Sequence, residues 1–206
     1  MARAFGEVCG RPEALEGIAL GGMTDRLILR TALGKLGRSL DEALFEAIVA
    51  AYLRHLEQEV LRSPGYRVMP HVRQLLASVH RPGVAVGLGT GNVRRGAEIK
   101  LRRAALADHF RFGGFGEDAE DRAALLRAGL RRGAALLGVL PERCRAVVIG
   151  DTPRDVRASA EIGASCVAVA TGTHDAAALR SAGAALVVES LADPRVESAL
   201  FGPANL

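Results

Sequence analysis

The chain has 206 residues, of which 49% are hydrophobic and 24% are charged, with a formal net charge of +4. This length allows one core domain with a small accessory domain, and the composition is that of an ordinary globular protein. No run of about 18 apolar residues is present, which excludes a membrane span. Aromatic residues make up only 4% of the chain, too few for a base-stacking platform that would bind nucleic acid. Three widely spaced cysteines and the lack of a signal-peptide pattern predict a cytoplasmic protein.

The first 66 residues predict helices and no strand. Apolar residues recur at helical spacing from Leu27 to Leu36, after Thr24, whose hydroxyl can cap a helix N-terminus. A second helix is predicted roughly from Leu40 to Leu61. Proline and glycine in the segment 63–70 then break any helix. We therefore predict a small antiparallel helical unit over residues 1–66.

From residue 67 onward, short apolar runs alternate with helical segments. The predicted strands are, in chain order, Val84–Leu88, Phe110–Phe112, Ala146–Ile149, Cys166–Val169 and Ala185–Val188. The predicted helices are Val72–Val79, Val93–Leu106, Asp121–Leu137, Pro153–Ile162 and Asp175–Ser181. Repeated strand–helix–strand units predict a parallel sheet covered on both faces, and hence an α/β core domain over residues 67–206. In such a sheet a ligand binds at the carboxyl ends of the strands.

An acidic turn follows the clearest of these strands. Asp151 comes directly after the apolar run, and Asp155 lies in the first turn of the next predicted helix. Two carboxylates on one strand-to-helix turn can converge on Mg²⁺, which accepts oxygen ligands and keeps several waters. For Asp155 alone an alternative is open, namely that it completes a capping box with Thr152 as the N-cap. That alternative does not account for Asp151, so the pair predicts a metal site.

A glycine-rich turn, Gly87-Leu88-Gly89-Thr90-Gly91-Asn92, follows the first predicted strand of the core. A hydroxyl and free backbone amides at a helix N-terminus suit a phosphate group. Lys100, one of only two lysines, lies on the next helix and could neutralise phosphate charge in a transition state; a solvated surface lysine is the alternative. The three glycines also resemble a dinucleotide-binding turn, so a nucleotide-dependent oxidoreductase stays open as a less favoured alternative, as does a simple tight turn.

Taken in chain order, these features resemble the haloacid dehalogenase superfamily of phosphatases, and in particular its phosphoglycolate-phosphatase-like members. The segment Thr90-Gly91-Asn92 is similar to the motif that binds phosphoryl oxygens in that family, and Asp151 and Asp155 match its magnesium-binding acidic motif. The helical unit over residues 1–66 is similar to the family's α-helical cap. The resemblance implies a Rossmann-like core and the Mg²⁺-dependent hydrolysis of a small phosphorylated metabolite, a phosphomonoester, through an aspartyl-phosphate.

Two further family motifs are less clear in this chain. Lys100 occupies a place where some members carry a conserved lysine, but most carry it where this sequence has Asp121-Arg122, which makes Arg122 the other candidate. The nucleophile motif, two aspartates two residues apart in an apolar strand, has no match in residues 1–66, where Asp25 and Asp41 stand alone.

The missing motif also bears on the fold, because in the family it belongs to the central strand. That strand lies between those represented here by Val84–Leu88 and Ala146–Ile149. We therefore expect this 206-residue chain to lack that strand, to be a truncated form of a longer parent, and to show no turnover by itself. A non-catalytic relative that binds phosphate or metal is the alternative.

Overall fold

The computed structural model describes residues 1–202. Its helices are α1 (Ala2–Cys9), α2 (Asp25–Lys35), α3 (Glu42–Arg62), α4 (Val72–Ser78), α5 (Arg94–Arg103), α6 (Arg122–Leu137), α7 (Pro153–Glu161), α8 (Ala176–Ser181) and α9 (Pro194–Phe201). Its strands are β1 (Gly87–Gly89), β2 (Phe112–Gly114), β3 (Val147–Gly150), β4 (Ser165–Val169) and β5 (Leu186–Val188). None of the helices in the described range is long and apolar enough to cross a membrane.

Helices α1 to α3 share one apolar cluster. Phe5 of α1, Leu33 of α2 and Ile48 of α3 are each fully buried in it. Helix α2 begins where the sequence predicts, because the hydroxyl of Thr24 accepts a hydrogen bond from the Leu27 N–H at 3.2 Å. The predicted helical character of this part of the chain is therefore confirmed, whereas the domain boundary at residues 66 and 67 stays a prediction.

The strands are all parallel, but in the described residues they form two separate sheets. Strands β1 and β2 pair with Gly87 opposite Phe112, and β3, β4 and β5 pair in that order with Val147 opposite Ser165. This arrangement of parallel strands and helices confirms the predicted α/β fold class. No ladder joins β1 to β3 within residues 1–202, and Ile149 of β3 is 40% exposed.

Helix α6 lies against both sheets. Its backbone is so close to β2 that a Cβ on Gly114 would come within 1.9 Å of the Leu125 carbonyl oxygen. On the other side, Leu126 packs in a cluster with Ala158 of α7 and Val148 of β3. Because α6 contacts both sheets, it fixes where the carboxyl end of β1 lies relative to that of β3.

Two predicted strands differ from the observed ones. The prediction of a buried strand over Val84–Leu88 was wrong in extent, since β1 covers only Gly87–Gly89 and Val84 is 38% exposed. The only partner of β1 among the described residues is the three-residue β2, which leaves the start of that apolar run without a ladder. Strand β2 itself begins where the predicted strand Phe110–Phe112 ends, and it continues through Gly113, which lies close to β1, and Gly114, which lies close to α6. Helix α9 was not predicted.

Candidate active site

The loop after β1 is held in place at each of its residues. The Thr90 N–H donates to the Gly114 carbonyl oxygen at 3.0 Å, which ties the loop to β2. The Thr90 hydroxyl oxygen accepts from the Asn92 N–H at 3.2 Å. A Cβ on Gly91 would lie 2.2 Å from the carbonyl oxygen of Met23, so only glycine fits beneath the segment that leads into α2. The three residues predicted to bind phosphate, Thr90, Gly91 and Asn92, therefore form one compact turn at the N-terminal end of α5, here called the phosphate loop.

The Lys100 side chain extends from the last turn of α5 to this turn, so Lys100 is not a solvated surface lysine. Its Nζ donates to the Asn92 side-chain oxygen at 2.7 Å, and its side chain is half-buried. Burial lowers the pKa of Lys100, and the negative charge of Asp25 partly offsets that shift. The structure thus brings Lys100 together with Thr90, Gly91 and Asn92.

The acidic turn after β3 has one buried and one exposed carboxylate. Asp155 is 3% exposed, and its Oδ2 accepts from both the Thr152 N–H at 3.2 Å and the Thr152 hydroxyl at 2.8 Å. Because the Thr152 hydroxyl oxygen also accepts from the Asp155 N–H at 3.2 Å, the capping box proposed as the alternative for Asp155 is present. The Asp155 side chain therefore has a structural function at the start of α7.

Arg122 occupies the other oxygen of Asp155. Its Nε and Nη2 donate to Asp155 Oδ1 at 3.0 and 2.7 Å, and Nη2 also donates to the Gly89 carbonyl oxygen at 3.2 Å. The guanidinium consequently spans from the end of β1 to the beginning of α7. The two candidates for the conserved basic residue lie in different places, Lys100 at the phosphate loop and Arg122 at the acidic turn.

Asp151 is exposed and has no hydrogen-bond or ion-pair partner within residues 1–202. The turn after β4 passes close to it, since a Cβ on Gly172 would lie 2.3 Å from Asp151 Oδ2. No group of three or more His, Cys, Asp or Glu side chains in the described range could enclose a metal ion. Mg²⁺, however, usually keeps several waters and takes only one or two protein carboxylates. The free oxygens of Asp151 fit that preference.

Asp25 also belongs to this region, although sequence analysis did not place it beside the phosphate loop. It is 3% exposed, and its carboxylate accepts from the Val93 N–H at 2.8 Å and from the Asn92 side-chain amide at 3.3 Å. Its own N–H donates to the Gly91 carbonyl oxygen at 2.7 Å. Burial raises the pKa of Asp25, against the effects of these hydrogen bonds and of Lys100. An acidic residue in the first turn of a helix is common for reasons of the helix dipole alone, so no local signal distinguishes it.

A glycine-rich loop and an acidic turn at the carboxyl ends of parallel strands define a Rossmann-like α/β protein, in which ligands bind at that edge of the strands. A family model for haloacid dehalogenase-like hydrolases matches residues 9–163, and the chain belongs to this family. The family identifies the chain as a hydrolase, as the resemblance implied. Membership in a hydrolase family argues against the alternative that this chain is a nucleotide-dependent oxidoreductase.

Solved structures share the fold over most of their length. A predicted phosphoglycolate phosphatase from Haemophilus somnus is 13% identical, with a TM-score of 0.65 over 96% of this chain and 88% of that one. A hydrolase from Pseudomonas syringae is 23% identical, with a TM-score of 0.62 over 91% of this chain and 87% of the hydrolase. A β-phosphoglucomutase from Clostridium difficile is 18% identical, with a TM-score of 0.63 over 96% of this chain and 90% of the mutase. A comparison with curated protein sequences found no match.

Proposed function

We propose that this chain carries the phosphate-binding and Mg²⁺-binding residues of a phosphatase that hydrolyses a small phosphorylated metabolite through an aspartyl-phosphate. The observation that carries the proposal is the bridge made by Arg122 between Gly89, directly before the phosphate loop, and Asp155 in the acidic turn. Strands β1 and β3 are not paired within residues 1–202, yet Arg122 contacts both the end of β1 and the acidic turn after β3. This contact supports a single site made of the phosphate loop and the acidic turn. Family membership supports hydrolase chemistry at that site.

Each motif has a distinct part in this proposal. The Thr90 hydroxyl, the Asn92 amide and the backbone of the loop would bind the phosphoryl oxygens, with Lys100 supplying positive charge beside them. Asp151 would hold Mg²⁺ through its free oxygens, and Asp155 would support the turn. A bound Mg²⁺ would add positive charge where the phosphoryl group becomes more negative.

An aspartyl-phosphate needs an aspartate with a free oxygen. The carboxylates of Asp25 and Asp155 are buried and hydrogen-bonded within the protein, and Asp151 is the candidate metal ligand. No two aspartates in the 206 residues are two positions apart. We therefore expect the 206-residue chain to bind phosphate and Mg²⁺ without turnover. The same observations favour a non-catalytic phosphate-binding relative as the second candidate.

The test combines binding and turnover measurements on the 206-residue chain. Isothermal titration calorimetry with Mg²⁺ should show a site that Asp151→Asn weakens by about tenfold or more, since each tenfold loss corresponds to only about 1.4 kcal/mol. Asp108→Asn is the matched control, because Asp108 is exposed and precedes β2, at the opposite end of the strands. Equal Mg²⁺ affinity in both variants would contradict the metal site. Hydrolysis of p-nitrophenyl phosphate that Asp151→Asn abolishes would contradict the absence of turnover.

A further inference from the structure

Asp25 makes contacts with three successive residues, Gly91 and Asn92 of the phosphate loop and Val93 at the start of α5. Its N–H donates to the Gly91 carbonyl oxygen, and its carboxylate accepts from the Asn92 side chain and from the Val93 N–H. Asp25 is the first residue of α2, whereas its three partners lie 66 to 68 positions later, so these contacts join the helical part of the chain to the loop. The cap of α2 does not need them, because Thr24 already provides it.

The Asp25 carboxylate also determines which way the Asn92 amide faces. An asparagine side chain has one end that donates and one that accepts. Here the Nδ2 end donates to Asp25, and the oxygen end accepts from the Lys100 ammonium at 2.7 Å. If the amide turned over, its donor end would face an ammonium group, which has no acceptor. The carboxylate therefore fixes the amide, and the amide in turn positions the Lys100 ammonium.

Titratable groups from three parts of the chain surround Asp25. The ammonium of Lys100 on α5 and the α-amino group of Met1 next to α1 favour its ionised form, while burial opposes it. The negative charge of Asp25 in turn helps to raise the pKa of Tyr52 on α3 above its ordinary value, and it raises the pKa of Lys100 against the effect of burial. Removing that negative charge leaves burial acting alone on Lys100, so the ammonium would lose its proton at a lower pH.

We propose that Asp25 is a positioning residue for phosphate recognition, holding Asn92 and Lys100 in the orientation that a phosphoryl group requires. This inference rests on the proposed function of the loop. Asp25 does not touch the phosphoryl group, since its carboxylate is buried behind the loop and occupied by Val93 and Asn92. The ligand class is a phosphate monoanion or dianion bound by the loop amides, the Asn92 side chain and a charged Lys100.

The experiment compares Asp25→Asn with Asp41→Asn. Both changes remove one carboxylate charge from the N-terminal end of a helix, but Asp41 caps α3 and contacts only the Leu44 N–H. Binding of inorganic phosphate is measured by isothermal titration calorimetry across a pH series, with circular dichroism to verify folding. We expect about a tenfold or greater loss of affinity in Asp25→Asn and none in Asp41→Asn. If Asp25→Asn does not fold, Asp25→Ser, a smaller neutral side chain, replaces it with the same two outcomes.

The pH series separates positioning from a purely structural contribution. As pH rises, affinity is lost when Lys100 becomes neutral, and this loss should occur at lower pH in Asp25→Asn than in the unchanged protein. If Asp25 only stabilised the fold, its replacement would lower the melting temperature without changing the pH at which phosphate affinity is lost. If Asp25→Asn and Asp41→Asn bind phosphate with equal affinity and lose that affinity at the same pH, the inference about Asp25 is overturned while the proposed function stands. An unchanged protein that binds no phosphate would overturn the proposed function and the inference with it.

Discussion

Replacing Arg122 with methionine tests whether side chains hold the two motifs together. The change removes the guanidinium and keeps an unbranched stem of similar length. Asp155 Oδ1 would lose both of its donors, while Oδ2 would keep its two hydrogen bonds to Thr152. Removing one partner of a buried ion pair costs about 3–5 kcal/mol. Because Thr152 still stabilises the carboxylate, we expect the lower end of that range, about 3 kcal/mol.

The loss is measured by thermal unfolding followed by circular dichroism at neutral pH. For a protein of this size, 1 kcal/mol corresponds to about 2–4 °C, so the melting temperature should fall by roughly 6–12 °C. Arg195→Met is the matched control, because it breaks a surface ion pair with Asp193 and should change the melting temperature little. Adding Asp155→Asn to Arg122→Met should cost less than the sum of the two single changes. If Arg122→Met and Arg195→Met melt alike, Arg122 does not hold the motifs together.

Two further predictions concern the phosphate loop and acid stability. Gly91→Ala should weaken phosphate binding and lower the free energy of unfolding by about 1–3 kcal/mol, since its Cβ would lie 2.2 Å from the Met23 carbonyl oxygen. Gly34→Ala is the control, because a Cβ at this position in α2 would have no neighbouring atom within 4 Å. Urea unfolding should show it to be neutral or stabilising by up to about 1 kcal/mol. The Arg132 guanidinium holds the pKa of Asp118 below its ordinary value of 3.8, so this pair stabilises the fold above that pH and the stabilisation is lost as pH falls through the lowered pKa. Asp118→Asn should therefore be less stable at pH 7 but lose less stability between about pH 4 and 2, and parallel curves would contradict this.

Sequence patterns predicted the order of the elements and both loops because those signals are local. Helix α7 and its capping box are expected from Thr152 and Asp155 standing three residues apart after an apolar run. Helix α6 begins directly after Asp121, whose carboxylate accepts from the Ala124 N–H. Parallel strands then bring the phosphate loop after β1 and the acidic turn after β3 to the carboxyl ends of their strands, where ligands bind. The fold class and the two loops were predictable for this reason.

The features that sequence analysis did not predict depend on residues far apart in the chain. The pair Gly113-Gly114 disfavours a strand locally, yet β2 needs both glycines, because a Cβ on Gly113 would meet the Leu88 carbonyl oxygen and a Cβ on Gly114 the Leu125 carbonyl oxygen. Asp25 has the same local setting as any acidic residue in a first helical turn, and its partners Asn92 and Val93 lie 67 and 68 positions away. No spacing along the chain indicates either contact.

The geometry of the site region also explains why an arginine suits position 122. Nη2 of Arg122 donates to both Gly89 and Asp155 while Nε donates to Asp155 as well, which uses the fixed fork of the guanidinium. A lysine ammonium is a compact point charge on a flexible stem and cannot reproduce that planar set of donors. Within residues 1–202 no ladder joins β1 to β3, so the spacing between the phosphate loop and the acidic turn depends on such contacts. The start of α2 and the segment before it add to these contacts, because Gly22 approaches Thr152 and Asp25 is hydrogen-bonded to Val93 after the loop. A rigid cation at position 122 is therefore the direct link between the two halves of the proposed site.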